Sequence, residues 1–227
     1  MFDRLLRLLR QRIAAWQRPS PRRLAAQLRR PSGALGQRVG AFMHRSNAAL
    51  YTFALERLHP EAGEALLEIG FGSGRHFPQL LGMASGLRLS GLDCSADMVR
   101  AAREGGGAAE LVLGSSEQMP FGDGTFDAVF CVNVVYFWEK PETHLREVWR
   151  VLRPGGRFLT AIRTPESLRA MPFTKHGFRL YNAPEWSAQL SAAGFTDICT
   201  ARQQEPALVL DGRQVVLESL CVVGLKP

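Results

Sequence analysis

The 227-residue sequence has only four cysteines, Cys94, Cys131, Cys199 and Cys221. They are far apart in apolar contexts and form no CxxC or other metal-ligand spacing. This excludes a disulfide scaffold and a cysteine-built metal centre. It reads as reduced thiols in or near the core of a cytoplasmic protein. No apolar run approaches the ~20 residues that a spanning helix requires. Internal repeats and long low-complexity tracts are also missing. Acid is scarce at one end: residues 1–30 hold nine arginines against the single acid Asp3, a charge of +8. The whole chain carries +7, which leaves −1 for residues 31–227. That describes a near-neutral domain with a basic extension rather than a basic domain. The length suits one α/β domain with some added elements and is enough for a sizeable core.

Within the extension, "FDRLLRLLRQRIAAWQ" has helical periodicity. Phe2, Leu5, Leu6, Leu9, Ile13 and Trp16 fall within about 100° of arc, with Arg4, Arg7, Arg10 and Arg18 off that stripe. Pro19 and Pro21 interrupt it, and a second basic stretch, "PRRLAAQLRRPSG", follows. The apolar stripe can pack on this domain or on a partner subunit. An arginine face opposite a Leu/Phe/Trp face can also lie on an anionic membrane surface through residues 1–30, making the protein peripheral there. A cleaved transit peptide and contact with nucleic-acid phosphates are further readings of the same composition. Arginines interrupt every apolar run, which argues against a secretory signal. Apolar spacing predicts helix again from 33 to 58, ended by His59-Pro60, because the residue before proline is pushed out of the α region. Residues 1–59 are thus expected as N-terminal helices serving as lid, membrane contact or partner contact, and residues 60–227 as the main domain.

From residue 64 the pattern changes to short apolar runs alternating with helices. Strands are expected at 64–69, 87–92, 109–113, 126–132, 156–162, 195–201 and 215–224. Helices are expected at 74–83, 95–104, 142–152 and 184–193. Such alternation implies a doubly wound, mainly parallel α/β sheet of seven strands with helices on both faces. Ligands bind these sheets at the carboxyl ends of the strands, where strand order reverses.

"LLEIGFGSGRHF", residues 66–77, stands at such an end. The buried strand carries Glu68, and Gly70, Gly72 and Gly74 then let the backbone approach a ligand with positive φ. The stretch is not a P-loop, since GK[ST] is absent. It is not the dinucleotide fingerprint either, since Arg75 stands where the third glycine belongs. A second acid, Asp93, ends "LRLSGLD" 19 residues after Gly74, where a ribose diol is commonly held. Ser95 can cap the following helix, which leaves Asp93 to face the cleft.

Four segments in order resemble the class I S-adenosylmethionine-dependent methyltransferases, in the type 11 subgroup that includes ubiquinone/menaquinone C-methyltransferases. They are "LEIGFGSG", "GLDCSADMV", "GSSEQMPFGDGTFDAVF" and "REVWRVLRPGGRFL", spanning about residues 60–165. The resemblance implies a Rossmann-like fold and S-adenosyl-L-methionine as cofactor, with S-adenosyl-L-homocysteine as product. It implies that Glu68, Gly70, Phe71, Gly72 and Gly74 surround the methionine end, that Asp93 takes the ribose hydroxyls, and that Cys94 and Met98 pack on ribose and adenine. One departure stands out: "GSSE" puts Ser115 where the family commonly has an aspartate for the adenine amino group. The charge-assisted bond is then lost, while the backbone of Ser116 still reads the ring edge. Asn133, at the end of "FDAVFCVN", is expected at the methionine moiety. "VLRPGGRF" and Asp127 are read as structural.

The cofactor carries an activated methyl group, so the protein mainly aligns the acceptor and excludes water. If a general base is needed, His76 and Tyr136 are best placed, ahead of His44, His144, His176 and Tyr181. Tyr136, Phe137 and Trp138 together suggest an aromatic face toward a sulfonium or a flat substrate. The N/D-P-P-[YF] tetrapeptide of nucleic-acid amino methylation is absent, and "NVVY" stands in its place. The Phe-, Tyr- and Pro-rich segment 163–186 suits an apolar or aromatic small-molecule acceptor. A lipid or quinone acceptor at a membrane, and a non-catalytic cofactor-binding module, are the competing readings. No metal site is expected.

Overall fold

The computed structural model describes residues 19–106, 109–210 and 213–227. The helix expected over the first sixteen or so residues lies outside them. Among the described residues three helices precede the sheet: α1 (Pro21–Arg29), α2 (Gly33–Ser46) and α3 (Ala48–Leu58). The Ser20 hydroxyl caps α1 by accepting from the Arg23 N–H. The expected single helix over 33–58 is divided at Asn47, whose φ of −98° and ψ of 2° break the repeat. It stops at His59, which takes a left-handed φ of 46° before Pro60.

The main sheet has seven strands. They are β1 (Ala65–Ile69), β2 (Arg88–Asp93), β3 (Ala109–Leu113), β4 (Phe126–Val132), β5 (Leu152–Arg163), β6 (Thr196–Gln204) and β9 (Glu218–Leu225). Their order is β3-β2-β1-β4-β5-β9-β6. The pairs through β5 are parallel, and β9 runs antiparallel between β5 and β6. A small hairpin, β7 (Leu208–Leu210) with β8 (Arg213–Val215), precedes β9. The strand expected at 215–224 corresponds to β9 and takes in only Val215 of β8.

The helices between strands are α4 (Phe77–Leu81), α5 (Ala96–Glu104), α6 (Pro141–Val151), the short α7 (Pro165–Leu168) and α8 (Ala183–Ala192). The helix expected at 74–83 is cut to five residues. Gly74 is left-handed, with φ of 64°, so it belongs to the loop and cannot start a right-handed helix. Two single-turn helices, Val135–Phe137 and Pro172–Lys175, lie in the segments that follow β4 and α7.

Strand alternation divides the core into two layers. Leu67, Ile69, Val129, Cys131 and Phe158 face one side with Leu145, Trp186 and Leu190. Leu66, Ala128, Phe130 and Leu159 face the other with Phe53, Leu55, Leu58 and Phe77. Helix α3 therefore belongs to the same core as the sheet, and the expected boundary at 59/60 does not separate two cores. Each such fully buried Leu or Phe contributes roughly 1.5–3 kcal/mol of transfer free energy.

Cys131 and Cys221 are buried as expected, whereas Cys94 and Cys199 are exposed. Cys199 sits on the edge strand β6, most of whose residues face solvent, and Cys94 turns out of β2 toward the cleft. No helix among the described residues is long and apolar enough to cross a membrane.

Candidate active site

Strand order reverses between β1 and β4, and a cavity of about 750 Å³ opens at their carboxyl ends. That volume falls within the roughly 300–1,000 Å³ of small-molecule sites. The loop leaving β1 forms its floor. Gly70, Gly72 and Gly74 have φ of 74°, 58° and 64°. A Cβ on Gly70 would lie 2.4 Å from Cγ2 of Val134, so no larger residue fits. A Cβ on Gly72 would meet nothing within 4 Å, because it faces the open cleft. Phe71 differs from its expected placement: its ring turns away into the core, 5.6 Å from Phe77, and fills the space beside Gly91.

Asp93 ties β2 to this loop. Its Oδ2 accepts from the Gly72 N–H at 2.9 Å and its Oδ1 from the Ser95 N–H at 2.8 Å. Each carboxylate oxygen keeps a further lone pair, enough for a diol. Burial pushes the Asp93 pKa up to about 6, against the two backbone bonds that lower it. Ser95 caps α5 through the Met98 N–H at 3.2 Å, as its spacing suggested. Met98 is buried and Cys94 lies at the rim, and both line the cavity.

At the far end, Ser115 is exposed and its hydroxyl accepts from the Glu117 N–H at 3.2 Å. Ser116 is buried, with Oγ 2.8 Å from His144 Nδ1. The His144 ring is stacked on Trp138 at 4.5 Å and 4°. Burial keeps the His144 pKa below the ordinary range. Trp138 also reaches Phe158 and Trp186. Of the aromatic trio only Phe137 stays partly open, 4.7 Å from Phe178.

At the methionine end of the expected site His76 and Asn133 line the cavity, and Glu68 lies behind His76, outside the lining. Glu68 is 1% exposed, and its Oε2 lies 2.7 Å from His76 Nε2. Burial raises the Glu68 pKa, and His76 opposes that rise. Glu68 Oε1 and Asn133 Nδ2 are sealed from solvent without a partner among the described residues. Asn133 adopts φ of 59° after β4, and its Oδ1 accepts from the Tyr136 hydroxyl at 3.2 Å.

Tyr136 is placed against a role as base. Its oxygen accepts the Arg163 N–H at 2.5 Å, and its proton is shared between Asn133 Oδ1 and the Arg163 carbonyl. Burial drives the phenol pKa above its ordinary range, which disfavours the phenolate. His76 has one nitrogen spent on Glu68, and its ring lies 3.7 Å from that of Tyr51.

A lid was one of the roles expected of the N-terminal helices, and one feature beneath them escaped the sequence reading. The roof of the cavity comes from residues 27–52, including Arg30, Met43, His44, Asn47 and Tyr51. It is pinned by Gly33 N–H to Asp97 at 2.6 Å, by Ser95 Oγ to the Pro31 carbonyl at 2.5 Å, and by an exposed Arg29–Glu139 pair. A buried ion pair, Arg163–Glu205, holds the α2–α3 junction from below. The one available signal was an arginine closing an otherwise apolar strand, "FLTAIR". By contrast Asp127 is structural, accepting from Ala65 N–H at 2.7 Å and Arg153 at 2.6 Å.

An open glycine cradle, a buried carboxylate at the next strand end and unpartnered polar atoms beyond it fit S-adenosylmethionine. A family model described as a methyltransferase domain matches residues 67–160. The uncharacterized methyltransferase YdaC of Bacillus subtilis is 29% identical over 70% of this chain and 87% of its own length. A fatty-acid O-methyltransferase of Mycolicibacterium smegmatis is 32% identical over 58% of this chain, which spans only 43% of that protein. The fold matches the methyltransferase solved in complex with the Haloferax volcanii Trm112 methyltransferase activator. That match has a TM-score of 0.72 at 23% identity, over 90% of this chain and 97% of the other. Residues 67–160 thus match a methyltransferase domain, on a fold shared with solved S-adenosylmethionine-dependent methyltransferases.

Proposed function

We propose that this methyltransferase acts on a small, largely apolar acceptor, with the cofactor lying along the ends of β1, β2 and β4. The observation that carries the reading is a single cavity shared by the Gly72–Asp93 cradle and a wall of Phe137, Leu168, Phe173 and Phe178. When bound, S-adenosylmethionine supplies a methyl group already activated on a sulfonium. The residues of this chain hold, orient and enclose. Asp93 accepts from the ribose hydroxyls through its remaining lone pairs. Met98 packs beneath the adenosine, and the Ser116 N–H meets the adenine edge. Asn133 faces the amino-acid end, where its unpartnered amide nitrogen gains a partner, and Glu68, buried behind the loop, orients His76. The lid helices keep water from the transfer line. Tyr136 serves as a wall that sets the position of Asn133. An acceptor that ionises by itself is the simplest partner for such a site. The fatty-acid substrate named for the mycobacterial relative is consistent with an apolar chamber.

The test is calorimetric titration of S-adenosylhomocysteine into wild type and Asp93→Ala, followed by a labelled-methyl screen of apolar acids and phenols. Micromolar binding that the variant loses by about a hundredfold is expected, since two charge-assisted bonds disappear. Wild-type protein without affinity for this ligand would refute the reading.

A further inference from the structure

Helices α1 and α2 each turn one face to the cavity and the opposite face outward. On α2, Val39, Gly40 and Met43 line the cavity. Arg38, Phe42 and Arg45, at i, i+4 and i+7, form an exposed stripe on the other side of the same helix. The Phe42 ring is 48% exposed, with an arginine one turn away on either side. On α1, Leu28 lines the cavity and Ala25 is buried, while Arg22 and Arg23 stand exposed on the far side. Residues 19–55 hold six arginines and no Asp or Glu. Among the described residues Arg29 is the one of these six with an ion pair, to Glu139 at the cavity rim. Asp97, at the start of α2, is taken up by the Gly33 N–H and by Arg100. In sequence, residues 1–18 add five arginines against Asp3. Arginines alone would suit any polyanion. A ring set between them suits a surface that is anionic outside and apolar just beneath.

We propose that the outer face of α1 and α2 docks on an anionic lipid surface, an inference that goes beyond the apolar-acceptor reading above and does not need it. Arg22, Arg23, Arg38 and Arg45 meet lipid phosphates, and Phe42 enters the boundary between headgroups and acyl chains. None of these five side chains lines the cavity, so the cofactor cradle stays free while the roof is docked. Helix α1 lies against the Pro172–Lys175 turn, which carries Phe173 of the acceptor wall. The docked face therefore sits beside the apolar end of the cavity, and an acceptor drawn from the lipid surface meets that end first.

The test is flotation of the full chain with vesicles, and it needs neither cofactor nor acceptor. The vesicles are phosphatidylcholine alone and phosphatidylcholine mixed with phosphatidylglycerol. Binding is expected to the mixed vesicles and not to phosphatidylcholine alone, and it should weaken as salt rises. Arg38→Gln/Arg45→Gln should weaken it about tenfold or more, and Phe42→Ser about three- to tenfold. A control pair on other faces, Arg146→Gln/Arg202→Gln, removes the same charge and should change it by less than about twofold. All five replaced side chains are exposed and lie outside the cavity lining, so unchanged S-adenosylhomocysteine affinity reports that each variant is folded. An equal loss in the control pair would reduce the binding to net charge and overturn the docking face. Vesicle binding indifferent to Phe42→Ser would overturn it as well, since the ring then enters nothing. Tighter capture of a single-stranded RNA than of the mixed vesicles, at equal phosphate concentration, would assign the face to nucleic acid and overturn it too. A chain that binds S-adenosylhomocysteine but no vesicle refutes the docking and leaves the cofactor reading standing. One that binds the mixed vesicles but not S-adenosylhomocysteine does the reverse.

Discussion

Replacing Glu205 by glutamine removes one charge and almost no volume. Arg163 and Glu205 are 6% and 4% exposed. Arg163 Nε and Nη2 each donate to a carboxylate oxygen of Glu205 at 2.8 Å. Its Nη1 reaches Asn47 Oδ1 at 3.0 Å and its Nη2 the Ser46 carbonyl at 2.7 Å. Ser219 Oγ donates to Glu205 Oε1 at 2.9 Å. With glutamine the guanidinium stays buried, loses its counter-charge and meets an amide that presents one donor in place of an acceptor. Breaking one side of a buried pair costs about 3–5 kcal/mol. For a chain of this size about 2–4 °C of Tm accompanies each kcal/mol, so Tm should fall by roughly 6–20 °C. The assay is urea unfolding of wild type, Glu205→Gln, Arg163→Met and the double variant Arg163→Met/Glu205→Leu. The double variant should lie within about 1–2 kcal/mol of wild type, since apolar isosteres need no counter-charge. Because Arg163 also holds Ser46 and Asn47, Glu205→Gln should weaken S-adenosylhomocysteine binding through a looser roof. A loss under about 1 kcal/mol, or a cycle with no coupling, would refute the reasoning and make the pair equivalent to a screened surface bridge.

Gly72→Ala should cost only about 1–2 kcal/mol of stability for its left-handed φ, because the added methyl meets open space. It should nevertheless lower S-adenosylhomocysteine affinity by more than tenfold, since that space belongs to the ligand. A calorimetric affinity equal to wild type would contradict the cradle. Asp93 is raised to about 6 from 3.8 by burial. The folded state therefore binds more protons between those values, and apo stability should rise as pH drops from about 7 to about 4. That component should vanish in Asp93→Asn, as followed by Tm against pH. Ribose hydroxyls require the ionised form as acceptor, so cofactor affinity should fall below about pH 6 in wild type and flatten in Asp93→Asn. Trp138→Ala removes the stack on His144 and the contacts with Phe158 and Trp186. It should cost about 3–5 kcal/mol by chemical denaturation. A loss near zero would mean that the ring belongs to the acceptor face alone.

Much of this could be read from the chain before folding was considered. Strand β4 spans residues 126–132 as its apolar run suggested, and the glycine loop, Asp93 and the Ser95 cap appear where their spacing put them. Those features are local. A left-handed glycine, a hydroxyl before a helix or an alternation of period two depends on near neighbours only. The misplacements are equally physical. Tyr136 has the composition of a base, and only its contact with the Arg163 backbone, 27 residues away, takes its hydroxyl out of use. Phe71 sits inside a ligand loop, yet the missing side chain of Gly91 on the adjacent strand draws its ring inward.

The sequence by itself determined the alternating elements, the order of the motifs and the chemistry of the glycine turn, because each is encoded within a few residues. Only the tertiary structure decided which groups meet across the cleft: Glu68 with His76, Ser116 with His144, Arg163 with Glu205 and Asn47. Such contacts depend on strand order and on where the lid helices come to rest, and burial then sets which of those groups remain charged. No local pattern carries that information, since it exists only once the sheet has brought distant segments to one end.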